Sequence, residues 1–282
     1  MRQSWLDDFL AAEDLPESFR ATVERICTPV ADLAEEAHRA LGRTAVIGLC
    51  GPQGSGKTTI AAAVCAILRD RGLTAAIVAL DDLYLPKDER MRLAAEVHPL
   101  LITRGPPGTH DTALGMEVLD LLGRSGELTM PRFDKATDTR RPPTASDHVP
   151  CPVDVVLFEG WCIGARPQPA EALIAPVNDL EREEDPDGRW RTFVNTALDG
   201  AYRPLFARLH RLVLLTPPGF EVVVGWRAEQ EAKLRARTGQ GMTEAAIARF
   251  VAHYERLTRW ILEEAPGRAD MVIPLTADRT PK

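Results

Sequence analysis

Residues 49–64, LCGPQGSGKTTIAAAV, restrict the possible folds of this chain more than any other stretch. Gly51, Gly56, Lys57 and Thr58 satisfy G-x-x-x-x-G-K-[ST], with an apolar run before the loop and an alanine-rich helical run after it. Glycines so placed let backbone N–H groups converge on phosphate oxygens at a helix N-terminus. Gly51, Pro52, Gln53, Gly54, Ser55, Gly56, Lys57, Thr58 and Thr59 therefore form the expected ATP cradle. Lys57 is expected to reach the terminal phosphates and the Thr58 hydroxyl to bind Mg²⁺.

A phosphate loop of this kind joins a strand to a helix, and the rest of the chain supplies more strands. TAVIGLC (44–50), TAAIVAL (74–80), VDVVLFE (153–159), RLVLLTP (211–217) and DMVIPL (270–275) are continuously apolar instead of alternating. Strands buried on both faces read this way. The expected class is α/β, a P-loop NTPase-type parallel sheet with helices on both faces, over residues 43–282. Residues 1–42 are expected to form a helical extension packed on that core. Trp5, Leu6, Phe9 and Leu10 recur at helical spacing after Ser4, and Pro16 can open a second helix through Phe19, Val23 and Ile26. The helix from Thr58 to Arg71 is expected to stop at Gly72. Two polar stretches, 134–151 and the acidic, proline-rich 165–190, suit surface insertions or loops that cover a site.

Composition narrows the partners. A net charge of −7 and a pI near 5.5 argue against a broad grip on nucleic acid or anionic lipid. Cys27, Cys50, Cys65, Cys151 and Cys162 lack the paired spacing of a zinc site or disulfide framework, so reduced thiols are expected. The acidic N-terminus does not resemble a signal peptide, and no apolar run reaches the length of a membrane span. A cytoplasmic protein is expected.

The remaining motifs suggest chemistry. Asp81 and Asp82 follow the second apolar run, at the sheet edge where open α/β folds bind ligands. Asp81 can accept a proton from an attacking hydroxyl; an acidic helix cap is the structural alternative. Glu159 ends a buried strand, from which a carboxylate can orient Mg²⁺. RGPPGTHD (104–111) gathers Arg104, His110 and Asp111 in a glycine-rich loop suited to an anionic ligand, although Asp111 or Thr112 can equally cap the helix that follows. PRFDKATDTRRPP (131–143) adds Lys135, Arg140 and Arg141, which a solvated charge run explains equally well. Residues 226–242 carry Arg227, Lys233, Arg235 and Arg237 before Gly239 and Gly241 and suit a lid over ATP; a solvated helix face is the alternative. Ile247, Phe250, Val251, Tyr254 and Ile261 then form a core-packing stripe.

LCGPQGSGKTT, LDDLYLP, RGPPGTHD, PRFDKATDTR, LFEGWCIG and WRAEQEAKLR…TGQGM, in that order, resemble the plant-type D-glycerate 3-kinases and their bacterial and fungal relatives. These sit in the P-loop kinase group with uridine kinase, pantothenate kinase and phosphoribulokinase. The resemblance covers roughly residues 43–275 and implies ATP- and Mg²⁺-dependent transfer of the γ-phosphate to a hydroxyl of a small molecule. D-glycerate is the leading acceptor, ahead of a nucleoside, pantothenate or another hydroxy acid. It implies Lys57 and Thr58 at ATP·Mg²⁺, Asp81 as base and Glu159 at the metal. Asp82, Tyr84, Arg104, His110, Asp111, Arg140, Arg227 and Arg235 are expected on the substrate and lid side. Leu83 replaces the usual phenylalanine of DDFY without moving the carboxylates. The alternative of another class is a nucleotide-binding switch or assembly factor; a GTPase switch would need N-K-x-D after a late strand, which the sequence lacks, and DPDG (185–188) has no strand before it.

Overall fold

A computed structural model describes residues 4–239 and 241–282. In chain order the strands among these residues are β1 (Ala45–Cys50), β2 (Ala75–Ala79), β3 (Gly126–Thr129), β4 (Phe133–Asp134), β5 (Thr139–Arg140), β6 (His148–Cys151), β7 (Val155–Gly160), β8 (Arg211–Thr216) and β9 (Met271–Pro274). The five apolar runs become one parallel sheet in the order β2-β7-β1-β8-β9. Every residue of β1 and β7 is buried, as continuous patterning requires. Their side chains divide between two cores: Ile47, Leu49, Val155 and Leu157 on one face, Val46, Cys50, Val156 and Phe158 on the other.

The first core is covered by the N-terminal helices and the helix after the phosphate loop. α1 (Ser4–Ala12) is followed by α2 (Phe19–Thr22), which runs through a π turn at Val23–Cys27 into α3 (Thr28–Leu41). The second helix therefore starts three residues after Pro16. The π turn precedes Pro29, whose missing N–H breaks the regular ladder there. α4 (Lys57–Asp70) leaves the phosphate loop, and the chain turns back at Gly72, φ +82°. α5 (Lys87–Glu96) and α6 (Thr112–Leu122) follow β2.

The acidic segment 165–190 is exposed at most positions and anchored to the body of the fold at a few. Its short helix α7 (Asp179–Glu184) and the next helix α8 (Arg189–Asp199) place Leu180 and Trp190 in a small core with Leu100 and Leu101. Glu181, 1% exposed, takes 2.7 Å hydrogen bonds from both Arg256 Nε and Nη2, and the fully buried Asp185 pairs with Arg191 Nη1 at 3.0 Å. Buried carboxylates survive because each has a guanidinium and at least one backbone N–H to replace water, Val177 N for Glu181 and Trp190 N and Arg191 N for Asp185. α9 (Tyr202–Phe206), α10 (Glu221–Thr238) and α11 (Glu244–Glu264) complete the chain, with Leu205, Tyr254, Leu257 and Ile261 in the second core.

Candidate active site

The phosphate loop is shaped by its glycines. Gly54 has φ +75°, and a Cβ there would lie 2.7 Å from Trp226 Cβ and 2.9 Å from its backbone; a Cβ on Gly51 would lie 2.9 Å from Ser55 Oγ. Gly56, φ +86°, caps α4 and leaves its first N–H groups directed into the loop. Ser55 Oγ is buried with no hydrogen-bond partner, an orphan that a phosphate oxygen would satisfy. Among the described residues Lys57 makes only a long 3.4 Å bond, to Pro52 O.

β7 lies between β1 and β2, so Glu159 is in register with Leu49 on one side and Ala79 on the other. Glu159 is 5% exposed and accepts a 2.8 Å hydrogen bond from Thr58 Oγ1. Burial raises its pKa, and Asp81 adds to that, against the opposing Lys57 charge and Thr58 hydroxyl. A buried carboxylate touching the loop hydroxyl is a donor pair that fits a divalent cation beside a polyphosphate.

One residue past β2, a 3₁₀ turn (Leu80–Leu83) presents two aspartates with different tasks. Asp81 Oδ1 accepts from the Tyr84 hydroxyl at 2.6 Å and Oδ2 from Lys135 Nζ at 2.5 Å. Burial opposes its ionisation, but the Lys135 ammonium, the Tyr84 hydroxyl and Lys57 hold it well below the ordinary carboxylate range. Asp82 is held by the strand segment around β4: Arg132 Nη1 donates to Oδ2 at 2.9 Å and Phe133 N to Oδ1 at 3.0 Å.

The charged run after Phe133 is solvated at Lys135 and Arg141, yet most of its charges also face the site. β4 and β5 form a ribbon whose charges pair with the site: Lys135 with Asp81, Asp138 with Arg104 at 2.7 Å and with Arg90 at 2.6 Å, and Arg140 with Asp111 at 2.7 Å. Asp111 also caps α6 by accepting from Leu114 N at 2.9 Å, so the capping role is the one observed and its second oxygen anchors Arg140.

The loop 104–111 is rigidly held. Arg104 O accepts from the Tyr254 hydroxyl at 2.8 Å, Gly105 O from Trp161 Nε1 at 3.0 Å, and Thr109 Oγ1 closes the turn by accepting from Gly105 N at 2.8 Å. The Arg104 guanidinium lies 6.0 Å from the centroid of Tyr84, whose ring also stacks on His110 at 5.0 Å. Burial pushes the His110 pKa down to about 4, with Asp81 pulling the other way. The His110 ring is therefore neutral near pH 7 in the free chain.

The segment 226–242 is anchored at its start. Trp226 is buried against Gly54 and donates to Ala277 O at 2.6 Å. Arg227 pairs with Glu231 and lies over Phe250, and Arg235 donates to Met242 O, so both are engaged within α10 and the start of α11. The side chains of Lys233 and Arg237, and residue Gln240, lie outside the described residues. Sequence reasoning missed Arg90, Asp138 and Tyr202; only the αL-tolerant aspartate in a tight polar turn offered any signal, for Asp138.

The family model for "Methylmalonyl Co-A mutase-associated GTPase MeaB" matches residues 20–84, under a quarter of the chain, which hold the phosphate loop and the strand after it. The chain is 31% identical over 249 residues to the uncharacterized kinase mug58 of Schizosaccharomyces pombe, covering 83% of this chain and 87% of that protein. It is 30% identical to the probable ATP-dependent kinase TDA10 of Saccharomyces cerevisiae, covering 72% and 73%. It is 29% identical to the chloroplastic D-glycerate 3-kinase of Arabidopsis thaliana over 74% of this chain but only 46% of the plant protein. Among solved structures, a D-glycerate 3-kinase from Cryptococcus neoformans superposes with a TM-score of 0.73 at 24% identity, covering 90% of this chain and 97% of that one, which speaks for the fold. The chain belongs to the family of P-loop kinases that contains mug58 and TDA10.

Proposed function

We propose that this kinase transfers the γ-phosphate of ATP to a hydroxyl of D-glycerate. The observation that carries the acceptor is the role of Tyr84, whose hydroxyl holds the Asp81 carboxylate while its ring lies under the Arg104 guanidinium. A base and a cation set one aromatic ring apart suit a short hydroxy acid better than a nucleoside. The names of the plant and Cryptococcus relatives support the same acceptor.

In this reading the backbone N–H groups of residues 51–58 and Lys57 hold the triphosphate. Thr58 and Glu159 would hold Mg²⁺, which supplies neutralising charge at the phosphates when bound. Arg104 exchanges Asp138 for the acceptor carboxylate. The acceptor oxygen attacks the γ-phosphorus, the bond to the bridging oxygen breaks with its electron pair leaving on ADP, and the hydroxyl proton passes to Asp81. The low pKa of Asp81 keeps it ionised in the free enzyme. No described helix is long and apolar enough to cross a membrane, and five free thiols support a reducing, cytoplasmic setting.

A coupled ADP assay against D-glycerate, L-glycerate, uridine, pantothenate and ribulose 5-phosphate tests the reading. Turnover with D-glycerate, falling about 100-fold or more in Lys57→Ala and Asp81→Asn, is expected. Silence with D-glycerate alongside turnover of a nucleoside overturns the acceptor.

A further inference from the structure

Hydrogen-bond accounting at His110 fixes where its proton sits. The Tyr202 hydroxyl is buried and accepts the Gly108 N–H at 3.0 Å, so its own proton needs an acceptor. Among the described residues that acceptor is His110 Nδ1, 2.5 Å away. With Nδ1 accepting, the neutral ring carries its hydrogen on Nε2. The opposite tautomer would leave a hydroxyl proton without an acceptor and an Nε2 lone pair without a donor in one buried place.

Nε2 is buried and unpartnered among the described residues, a state that native interiors rarely tolerate without a ligand or water to complete it. Tyr84 and His110 are bridge partners on antiparallel backbone, so their side chains stand on one face, and Tyr84 reaches Asp81 from that face. The orphan N–H therefore belongs to the same wall as the Arg104 guanidinium and the Asp81 carboxylate.

We propose that Tyr202 is a positioning residue that locks His110 as a neutral Nε2–H donor for a carboxylate oxygen of the acceptor, beside Arg104. The identity of that oxygen rests on the hydroxy-acid reading above; the lock itself does not. His110 thereby orients the acceptor and leaves proton removal to Asp81.

Nitrogen-15 NMR of the imidazoles in the full chain tests the lock directly. The free protein is expected to show His110 protonated at Nε2 and bare at Nδ1, unchanged between about pH 6 and 8. In Tyr202→Phe the two tautomers mix, and the acceptor KM rises about tenfold while kcat stays within about twofold. His110→Gln, which retains a side-chain N–H donor, is expected to raise KM less than His110→Phe. A free-protein spectrum with hydrogen on Nδ1 overturns the lock. An Nε2–H resonance that does not move when calorimetry shows the acceptor bound, whichever acid the turnover panel identifies, overturns the contact. Silence of D-glycerate in that panel is a separate failure, of the acceptor and not of the lock.

Discussion

Lys135 Nζ lies 2.5 Å from Asp81 Oδ2, across 54 residues of sequence, and this ion pair ties the β4–β5 ribbon to the edge of the central sheet. The same ribbon reaches Arg104 and Arg90 through Asp138 and Asp111 through Arg140. The charge state of the expected base is thus set from outside its own strand.

Removing that ammonium is expected to shift the pH dependence of turnover. Asp81 works only when ionised, and in the wild type its protonation lies well below the ordinary carboxylate range, so kcat/KM should be flat through about pH 5 to 8. In Lys135→Ala burial is left less opposed, the Asp81 pKa rises, and the acid limb moves to higher pH. An acid limb that stays in place in the variant's pH–rate profile would show that Asp81 is not the titrating base.

Glu159 gives the opposite sign. Burial raises its pKa above the unfolded value, so the folded chain holds the proton more tightly, and the associated stability is present at low pH and lost as pH rises through the folded pKa. Glu159→Gln removes that loss. In metal-free buffer the variant should melt higher than wild type at neutral pH, with the difference vanishing near about pH 4, while turnover drops about 100-fold. A lower neutral-pH melting temperature in a pH series would contradict this.

The buried pair between Glu181 and Arg256 predicts a stability effect far from the chemistry. Arg256→Met leaves Glu181 charged in a place that is 1% exposed, at a cost of about 3–5 kcal/mol. Glu181→Leu together with Arg256→Met should recover most of it, as read by denaturant unfolding.

Gly54→Ala should cost about 1–3 kcal/mol and weaken nucleotide binding, because φ +75° is strained for alanine and its Cβ meets Trp226. Gly72→Ala is the control: φ is +82° but the space beyond is open, so about 1 kcal/mol is expected with nucleotide affinity unchanged in a direct binding titration.

Sequence pattern was sufficient for the sheet. Each continuous apolar run became a strand to within two residues at either end, because burial on both faces removes the polar alternation that would otherwise mark a surface. Placing Asp81 and Glu159 at the ends of such runs was likewise readable. Charge partners were not. Asp138, Arg90 and Arg104 meet only after the chain has folded, and composition counts Asp185 as a solvated acid although Arg191 and two backbone N–H groups enclose it. For residues 226–242 the basic residues drew attention, while the single tryptophan that fixes the segment to the phosphate loop carried the structural information.

The loop 104–111 is fastened by three aromatic side chains from distant stretches: Tyr254 on α11, Trp161 after β7 and Tyr202 on α9. Transplanting the eight-residue segment alone into another kinase would therefore deliver its letters without its shape. Redesign of acceptor preference in this scaffold has to proceed by exchanging side chains in place, or by moving all four stretches together.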